Sequence, residues 1–184
     1  MVRNICEVGT YAGNSANFWL LAFHDAHLYT FDKFRPGTAI NPGLGDTATK
    51  MLENLGRTTF VQGYTHESVP KFIKNHPGVQ CDILFIDGSK RFEDRLHDLN
   101  NFRKISHKHT LMLIDDIASE ECVRGHSNCP TATIANHETA QTAIRQKVQQ
   151  GELDITRCLQ TDDKPGFPKD DIVCSARYTM SVYD

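Results

Sequence analysis

Three aspartates in the middle of the chain follow two apolar segments, and carboxylates at such positions suit metal or acid–base chemistry. Asp87 follows the apolar run 83–86, and Asp115 and Asp116 follow the run 110–114. Uninterrupted apolar runs are typical of parallel strands buried on both faces, and ligands bind at the carboxyl ends of such strands. Three neighbouring carboxylates repel one another unless a cation or raised pKa values compensate them. We therefore predict that these aspartates bind a divalent cation such as Mg²⁺.

A second group of polar residues surrounds two glycines near the start of the chain. The segment reads E-V-G-T-Y-A-G-N-S from Glu7 to Ser15, between an apolar run and a segment with helical spacing of apolar residues. Glycines in a strand–turn–helix segment let the backbone approach a ligand, and the helix that follows offers unpaired N–H groups. A structural turn without a ligand is the alternative interpretation. The predicted nucleotide-type site comprises Glu7, Gly9, Thr10, Tyr11, Gly13, Asn14 and Ser15.

The glycine spacing of this segment disfavours a pyrophosphate ligand. A dinucleotide site reads G-x-G-x-x-G, whereas this chain has Tyr11 where that backbone would meet the pyrophosphate. Asp32 ends the next predicted strand, 27–32, and follows Gly9 at the spacing of about 20 residues from which an acid reaches a ribose diol. Asp32, followed by Lys33, is therefore predicted to bind the ribose of a cofactor. A solvated acid at the start of a turn is the alternative.

The E-V-G-x-x-x-G segment resembles the first motif of the class I S-adenosylmethionine-dependent methyltransferases. The resemblance implies that this turn lies beside the methionine part of the cofactor. It also implies that the turn after the third predicted strand, 58–62, borders the adenine ring. By position, Gln62, Gly63 and Tyr64 are the candidates for that contact.

The segments of the fourth and fifth strands resemble the cation-dependent O-methyltransferases of the catechol and caffeoyl-coenzyme A type. In that resemblance Asp87, Asp115 and Asp116 match the Mg²⁺ ligands, and Lys90 matches the general base of the catechol enzyme. The F-I-D-G segment is also similar to a broad methyltransferase family that usually reads F-I-D-G-D-H-x-Y-E, often with a histidine at the place of Lys90. The resemblance implies that Lys90 and Asp87 are catalytic and that Asp87 also borders the cofactor. A turn cap at Asp115–Asp116 and a surface lysine are the alternatives.

The order of predicted elements indicates how these residues are positioned. Strands and helices alternate through most of the chain and two strands end it, which predicts an α/β, doubly wound, mostly parallel seven-stranded Rossmann-like sheet with a C-terminal antiparallel hairpin. We expect a single domain over 1–184, without the N-terminal helices common in the resembled class. The predicted strand 110–114 ends before the paired aspartates. Predicted helices include 46–55, 67–75, 91–104 and 135–150, and predicted loops are 34–45 and 118–133.

Composition limits the classes of partner. The 184 residues are 39% hydrophobic and 23% charged with a net charge of −3, which provides no basic field for nucleic acid. No apolar run reaches the roughly 20 residues that span a bilayer. We therefore expect a small-molecule acceptor, no nucleic acid and no membrane, and we leave the oligomeric state open. We expect a cytoplasmic protein, and the short start leaves open a targeting segment lost by truncation.

Six cysteines leave the redox state open. Cys6 and Cys81 fall in or beside predicted strands and are interpreted as small core residues. Cys122, Cys129, Cys158 and Cys174 could form disulfides in an oxidising compartment. The spacing Cys122-x₃-His126-x₂-Cys129 lacks a fourth zinc ligand, so a zinc site is the less favoured alternative.

The leading functional hypothesis is an S-adenosylmethionine-dependent methyltransferase that methylates a small-molecule hydroxyl with a divalent cation. A nicotinamide-dependent oxidoreductase is the second hypothesis, which the missing central glycine disfavours. A non-catalytic binding module with the methyltransferase fold is the third. The acceptor is not readable from the sequence, because the loops 34–45 and 118–133 would determine it.

Overall fold

The computed structural model of the protein describes residues 1–33, 56–117, 120–124, 135–160 and 172–179. The predicted loop 34–45 and helix 46–55 lie outside the described residues. So does the predicted loop 118–133, apart from residues 120–124.

Strands and helices alternate along the described chain as predicted. The strands are β1 (Asn4–Val8), β2 (His27–Asp32), β3 (Thr58–Gln62), β4 (Cys81–Ile86), β5 (Ser106–Ile117), β6 (Leu153–Gln160) and β7 (Ile172–Tyr178). The helices are α1 (Asn14–Ala22), α2 (Thr65–Asn75), α3 (Phe92–Arg103), α4 (Glu120–Val123) and α5 (Ala135–Gln149).

The strands form one sheet in the order β3-β2-β1-β4-β5-β7-β6. The first five strands pair in parallel, and β7 pairs antiparallel with both β5 and β6. The predicted doubly wound sheet with a C-terminal antiparallel hairpin is therefore confirmed. Because β1 lies between β2 and β4, the carboxyl ends of these strands form one continuous rim, on which polar side chains from distant parts of the sequence meet.

Two apolar clusters hold helices on the two faces of the sheet. On one face Phe31 of β2 meets Phe72 of α2 and Phe102 of α3 edge to face, with ring centroids 5.2 and 5.1 Å apart. On the other face Trp19 of α1 lies edge to face on Phe85 of β4 at 5.7 Å. Buried aromatic pairs of this kind stabilise beyond their buried area, so the strand ends rest on a rigid base.

β5 is longer than predicted, because Ser106–Ile117 forms the strand instead of 110–114. Its parallel pairing with β4 ends at Ile114, whereas its antiparallel pairing with β7 continues to Ile117 across a register shift. Such a shift is a β-bulge, which bends a strand and re-aims its side chains. The paired aspartates lie in this stretch, and Asp116 has the left-handed φ of 61°. The predicted strand end is thus corrected to a bulge within a longer strand.

Four cysteines form two disulfides. Cys6 of β1 is bonded to Cys81 of β4, and both side chains are fully buried in the core. Cys158 of β6 is bonded to Cys174 of β7. The interpretation of Cys6 and Cys81 as core residues is correct for their burial, but their bond was not predicted.

The remaining two cysteines cannot be assigned in the same way. The side chain of Cys122 and the whole of Cys129 lie outside the described residues, as does His126. The weak zinc alternative at these three residues therefore stays a prediction. In the described ranges, no helix is long and apolar enough to cross a membrane.

Candidate functional site

Two glycine turns interlock at the centre of the rim. Gly9 follows β1 with φ 95°, and a Cβ placed there would lie 2.1 Å from the carbonyl oxygen of Asp87. A Cβ on Gly88, after β4, would lie 2.6 Å from Cγ1 of Val8. Real carbon atoms do not approach so closely, so both positions require glycine. In the structure Gly9 closely approaches the turn that follows β4, and this contact fixes the two halves of the rim against each other.

The first half of the rim contains a buried acid surrounded by neutral donors. Oε2 of Glu7 accepts a hydrogen bond of 2.9 Å from the hydroxyl of Thr30, which also contacts the hydroxyl of Thr10. Glu7, Thr10 and Thr30 are all almost completely buried. Burial raises the pKa of Glu7, while Ser15, Thr30 and Trp19 oppose the rise by hydrogen bonding.

Two buried polar atoms remain beside Glu7. Its Oε1 and the indole Nε1 of Trp19 lack a well-formed hydrogen bond among the described residues. Ser15 and Trp19 nevertheless lie close enough to lower the pKa of Glu7. Buried polar atoms without good partners are unfavourable unless a ligand or water completes them, so Glu7 can accept another donor.

Asp32 lies next to this group at the end of β2. Its Oδ2 accepts a hydrogen bond of 2.8 Å from the backbone N–H of Tyr11, which has φ 44°. Its carbonyl accepts another of 2.9 Å from the N–H of Gly63, after β3. The ends of β1, β2 and β3 are therefore joined through Asp32, and its predicted contact with a ribose stays a prediction.

The remaining residues of the predicted cofactor site lie around this centre. Gly13 begins α1 in the left-handed conformation with φ 79°, and its N–H donates to the carbonyl of Thr10 at 2.7 Å. The ammonium of Lys33 lies 4.9 Å from the ring centroid of Tyr64, a cation–π contact. Gln62 pairs with Asp32 in the β2–β3 register. Asn14 and Ser15 form the first turn of α1.

The second half of the rim contains the three predicted metal ligands. The pKa of Asp87 is raised to about 8 by burial, with Asp115 and Asp116 adding to the rise. Asp115 Oδ1 accepts a hydrogen bond of 2.8 Å from the N–H of Asp116. Asp116 Oδ2 is buried and has no hydrogen-bond partner in the described structure. The three acids are therefore close enough to affect one another strongly, as predicted.

Lys90 pairs with this group directly. Its Nζ lies 2.5 Å from Asp116 Oδ1, and the two side chains are 37% and 10% exposed. An ammonium that donates to a carboxylate has no lone pair with which to accept a proton. The predicted role of Lys90 as a base thus requires it to leave this ion pair first.

Sequence reasoning missed a buried cation behind the acids. Arg95 of α3 is fully buried, and its Nη1 donates to the carbonyl of Ile86 at 2.9 Å, directly before Asp87. Its positive charge lowers the pKa of Asp87 and opposes the repulsion among the acids. The signal was present, since residue 95 falls between Phe92 and Leu99 on the apolar stripe of the helix.

A second missed residue, Asp98, lies beside Arg95 on the same helix. It is 1% exposed and accepts a hydrogen bond of 2.5 Å from the hydroxyl of Thr65. Burial raises its pKa to about 6, and Thr65 and Arg95 oppose that rise. The polar layer under the rim thus contains charges of both signs.

A divalent ion does not fit the acids as they are arranged. Among residues whose positions are described, no group of three or more His, Cys, Asp or Glu side chains is arranged to hold a metal ion. The ammonium of Lys90 also occupies Oδ1 of Asp116. The predicted convergence of the acids is present, and the cation beside Asp116 in the described structure is the Lys90 ammonium; binding of Mg²⁺ stays a prediction.

A further polar group lies away from this rim, near the amino ends of β1, β4 and β5. His107 lies near the start of β5, and its Nε2 lies 3.1 Å from Oδ1 of Asp82. Asp82 also accepts from the backbone N–H groups of Arg3 and Asn4, so this group ties the opposite edge of the sheet. His107 is half-buried and hydrogen-bonded, so its part in this group is structural.

Comparisons with known proteins identify the fold. The O-methyltransferase from Bacillus cereus in complex with SAH aligns with a TM-score of 0.71 at 20% identity, covering 95% of this chain and 74% of that one. The O-methyltransferase of tomaymycin synthesis from Streptomyces achromogenes, in complex with SAM, also has a TM-score of 0.71 at 20% identity, with coverages of 97% and 74%. A putative caffeoyl-CoA O-methyltransferase from Staphylococcus aureus reaches 0.65 at 17%, with coverages of 96% and 76%.

Sequence comparison identifies the family. No curated protein matches the sequence. A family model described as a methyltransferase domain matches residues 6–117, which is more than half of the chain and includes the rim from Glu7 to Asp116. The chain therefore belongs to the methyltransferase-domain family, as its glycine turn and its F-I-D-G segment predict.

Proposed function

We propose that this protein is an S-adenosylmethionine-dependent methyltransferase that acts on a hydroxyl group of a small molecule. One observation carries the proposal: the interlocked turns at Gly9 and Asp87 place the pocket of Glu7, whose hydrogen-bond donors are uncharged, beside a cluster of carboxylates. The pocket of Glu7 can hold a nucleoside, and the carboxylate cluster can accept or donate a proton. The family match and the SAH and SAM complexes of the structural relatives support a methyltransferase that uses S-adenosylmethionine.

The cofactor roles follow from the chemistry of the first half. Asp32 would accept the ribose hydroxyls, because a carboxylate at the end of β2 is a two-oxygen acceptor. Glu7, whose Oε1 lacks a well-formed hydrogen bond, would accept a donor from the amino acid part of the cofactor. Gln62, Gly63 and Tyr64 would border the adenine, and the segment from Gly9 to Ser15 would line the methionine part.

The proposed chemistry is one displacement. S-adenosylmethionine supplies a methyl group on a positively charged sulfur. Asp87 would accept the proton of the substrate hydroxyl in its ionised form, whose fraction increases as pH rises towards 8, because burial and the neighbouring acids raise its pKa to about 8. The hydroxyl oxygen then forms the bond to the methyl group as the bond to sulfur breaks. Lys90 stays the second candidate for the base.

Two finer predictions remain predictions. Mg²⁺ dependence is predicted from the three neighbouring carboxylates and from the resemblance to catechol-type enzymes, and we assign no step to a metal here. A cytoplasmic location stays an expectation, and the two disulfides oppose it, since disulfides are rare in reducing compartments. Titration of free thiols in the protein isolated from its own cells would decide. We also propose that 1–184 acts as one domain, because one sheet includes strands from Asn4 to Tyr178.

Calorimetric titration tests the proposal. We expect S-adenosylmethionine and its demethylated product to bind in the micromolar range, and Asp32→Ala to weaken both by about tenfold or more, as loss of a hydrogen bond to a charged group does. Asp25→Ala is the matched control, since Asp25 is an exposed acid before the amino end of β2. Binding of a nicotinamide cofactor instead would overturn the proposal in favour of an oxidoreductase. Cofactor binding without turnover on a panel of hydroxyl acceptors would favour the binding module.

A further inference from the structure

We infer that the Lys90 ammonium is the cation that compensates the acid cluster of Asp87, Asp115 and Asp116. In this position it takes the place of a divalent metal ion and excludes such an ion from the cluster. The inference deepens the proposed function and rests on it in one respect, namely that these acids face the site of methyl transfer. The observation behind it is the ion pair of 2.5 Å between Lys90 Nζ and Asp116 Oδ1.

The ion pair occupies the position that a metal would need. Divalent Mg²⁺ and Ca²⁺ bind carboxylate oxygens at about 2.0–2.6 Å, a distance similar to that between the ammonium and Asp116. Two cations cannot share one carboxylate oxygen at that distance without strong repulsion. A metal at Oδ1 of Asp116 therefore competes with Lys90 for that oxygen, and a metal at Oδ2 is repelled by the neighbouring ammonium.

The bulge in β5 presents Asp116 for this contact. The left-handed φ of 61° at Asp116 turns this residue away from the regular strand, and its side chain is nine-tenths buried. Its Oδ1 is held by Lys90, and its Oδ2 has no described hydrogen-bond partner. A buried carboxylate with an unsatisfied oxygen is a strong cation acceptor, so removal of the ammonium leaves an attractive place for another cation.

Arg95 compensates the same acids from a fully buried position. Its guanidinium is fully buried, and it interacts electrostatically with Asp87, Asp115 and Asp116 as well as with Asp98. Two basic side chains, one buried and one partly exposed, thus provide the positive charge that a metal would otherwise provide. Of these two cations, Lys90 is the one that solvent reaches, since its side chain is 37% exposed.

Mn²⁺ serves as the probe, because its unbound aqueous form gives an electron paramagnetic resonance signal that disappears on binding. The full chain is titrated as wild type, Lys90→Met and Arg91→Met. Arg91→Met is the matched control, because it removes one positive charge at the neighbouring, exposed position. We expect Lys90→Met to bind one Mn²⁺ about tenfold or more tightly than wild type, since a like charge beside the site is removed. Arg91→Met should resemble wild type.

A double variant locates the bound ion. Lys90→Met with Asp116→Asn should lose the gained affinity, because the asparagine amide carries no charge. If wild type binds Mn²⁺ as tightly as Lys90→Met, or if Lys90→Met binds no more tightly than Arg91→Met, the inference is wrong. Thermal melting of each variant confirms that it is folded.

S-adenosylmethionine affinity, measured without metal on the same preparations, separates the two proposals. Intact cofactor binding in wild type together with a negative Mn²⁺ result overturns only the role of Lys90. Absent cofactor binding overturns the proposed function, whatever the Mn²⁺ result.

Discussion

The two halves of the rim compensate their acids in different ways. In the first half, Glu7 and Asp32 are held by hydroxyl and backbone N–H donors that carry no charge. In the second half, Asp87 and Asp116 are held against the cations Lys90 and Arg95. Both halves contain acids at the ends of parallel strands, and the interlocked glycine turns bring them together.

The difference indicates what each half can do. Acids held by neutral donors keep their charge available to a ligand, which suits recognition of hydroxyl or ammonium groups. Acids held by buried cations are part of a network in which loss of one member exposes the others to repulsion. The first half is therefore suited to binding and the second to proton chemistry.

Removal of the buried cation should break the second half most severely. Arg95→Met leaves its four neighbouring acids, Asp87, Asp98, Asp115 and Asp116, without their buried counter-charge. We expect it to lower the free energy of unfolding by about 3–5 kcal/mol. Arg103→Met is the control. It breaks a partly exposed pair with Glu152 at 3.2 Å and a hydrogen bond to the carbonyl of Thr179, and it should cost clearly less than Arg95→Met, about 1 kcal/mol. Urea unfolding measures both, and equal losses would contradict the network.

Separation of the two halves should have the next largest effect. Gly9→Ala inserts a methyl group 2.1 Å from the Asp87 carbonyl and should destabilise by roughly 2–4 kcal/mol and abolish cofactor binding. Gly78→Ala isolates the clash, because Gly78 has a similar φ of 91° but no atom within 4 Å of its added Cβ. Calorimetry and urea unfolding should show a clearly smaller loss for Gly78→Ala. Similar losses would mean that backbone strain alone is responsible.

Proton binding by Asp98 should appear in the pH dependence of stability. Its folded pKa of about 6 lies above its ordinary value of 3.8, so the folded protein retains a proton that the unfolded chain has released. Stability therefore decreases as pH rises from about 4 to 6. Asp98→Asn, which can still accept from Thr65, should flatten this decrease by about 1–3 kcal/mol.

Asp25→Asn, at an exposed acid, is the control for that measurement and should leave the slope unchanged. Because the pKa of Asp87 is raised to about 8, the stability of wild type and of both variants should continue to decrease above pH 6. A slope in Asp98→Asn equal to that of wild type would mean that Asp98 is charged throughout.

The smallest effect should sharpen the first half. Thr30→Val removes the hydroxyl that donates to Glu7, at an expected cost of about 1 kcal/mol in stability and a similar cost in cofactor affinity. Thr59→Val removes a comparable hydroxyl, bonded to His27, near the amino end of β3. It should leave cofactor affinity unchanged in calorimetry. An equal loss in both variants would contradict a local role for Thr30.

The sequence was informative where periodicity and strand ends determine the structure. The bounds of β2 and β3 were predicted to the residue, because an alternating or apolar run ends in an acid or a glycine. The gathering of Glu7, Asp32 and Asp87 on one rim followed from the rules of parallel sheets.

Contacts between distant side chains could not be predicted in the same way. The bulge in β5 depends on pairing with β7, which joins Ile117 to Ile172, 55 positions later in the chain, and a local pattern does not contain it. The pair between Lys90 and Asp116 and the bond between Cys6 and Cys81 join residues 26 and 75 positions apart. Arg95 was missed for another reason, since an arginine on an apolar stripe is usually assigned to the surface.

The bond between Cys6 and Cys81 has a consequence for anyone preparing this protein. It encloses a 75-residue loop that contains β2, β3 and the whole nucleoside half of the rim. Closing a loop of that length in the unfolded chain is worth about 4 kcal/mol in the entropic model. Material purified from a bacterial cytosol under strong thiol reductant would therefore melt at a lower temperature than oxidised material, and assays are comparable only when the redox buffer is fixed.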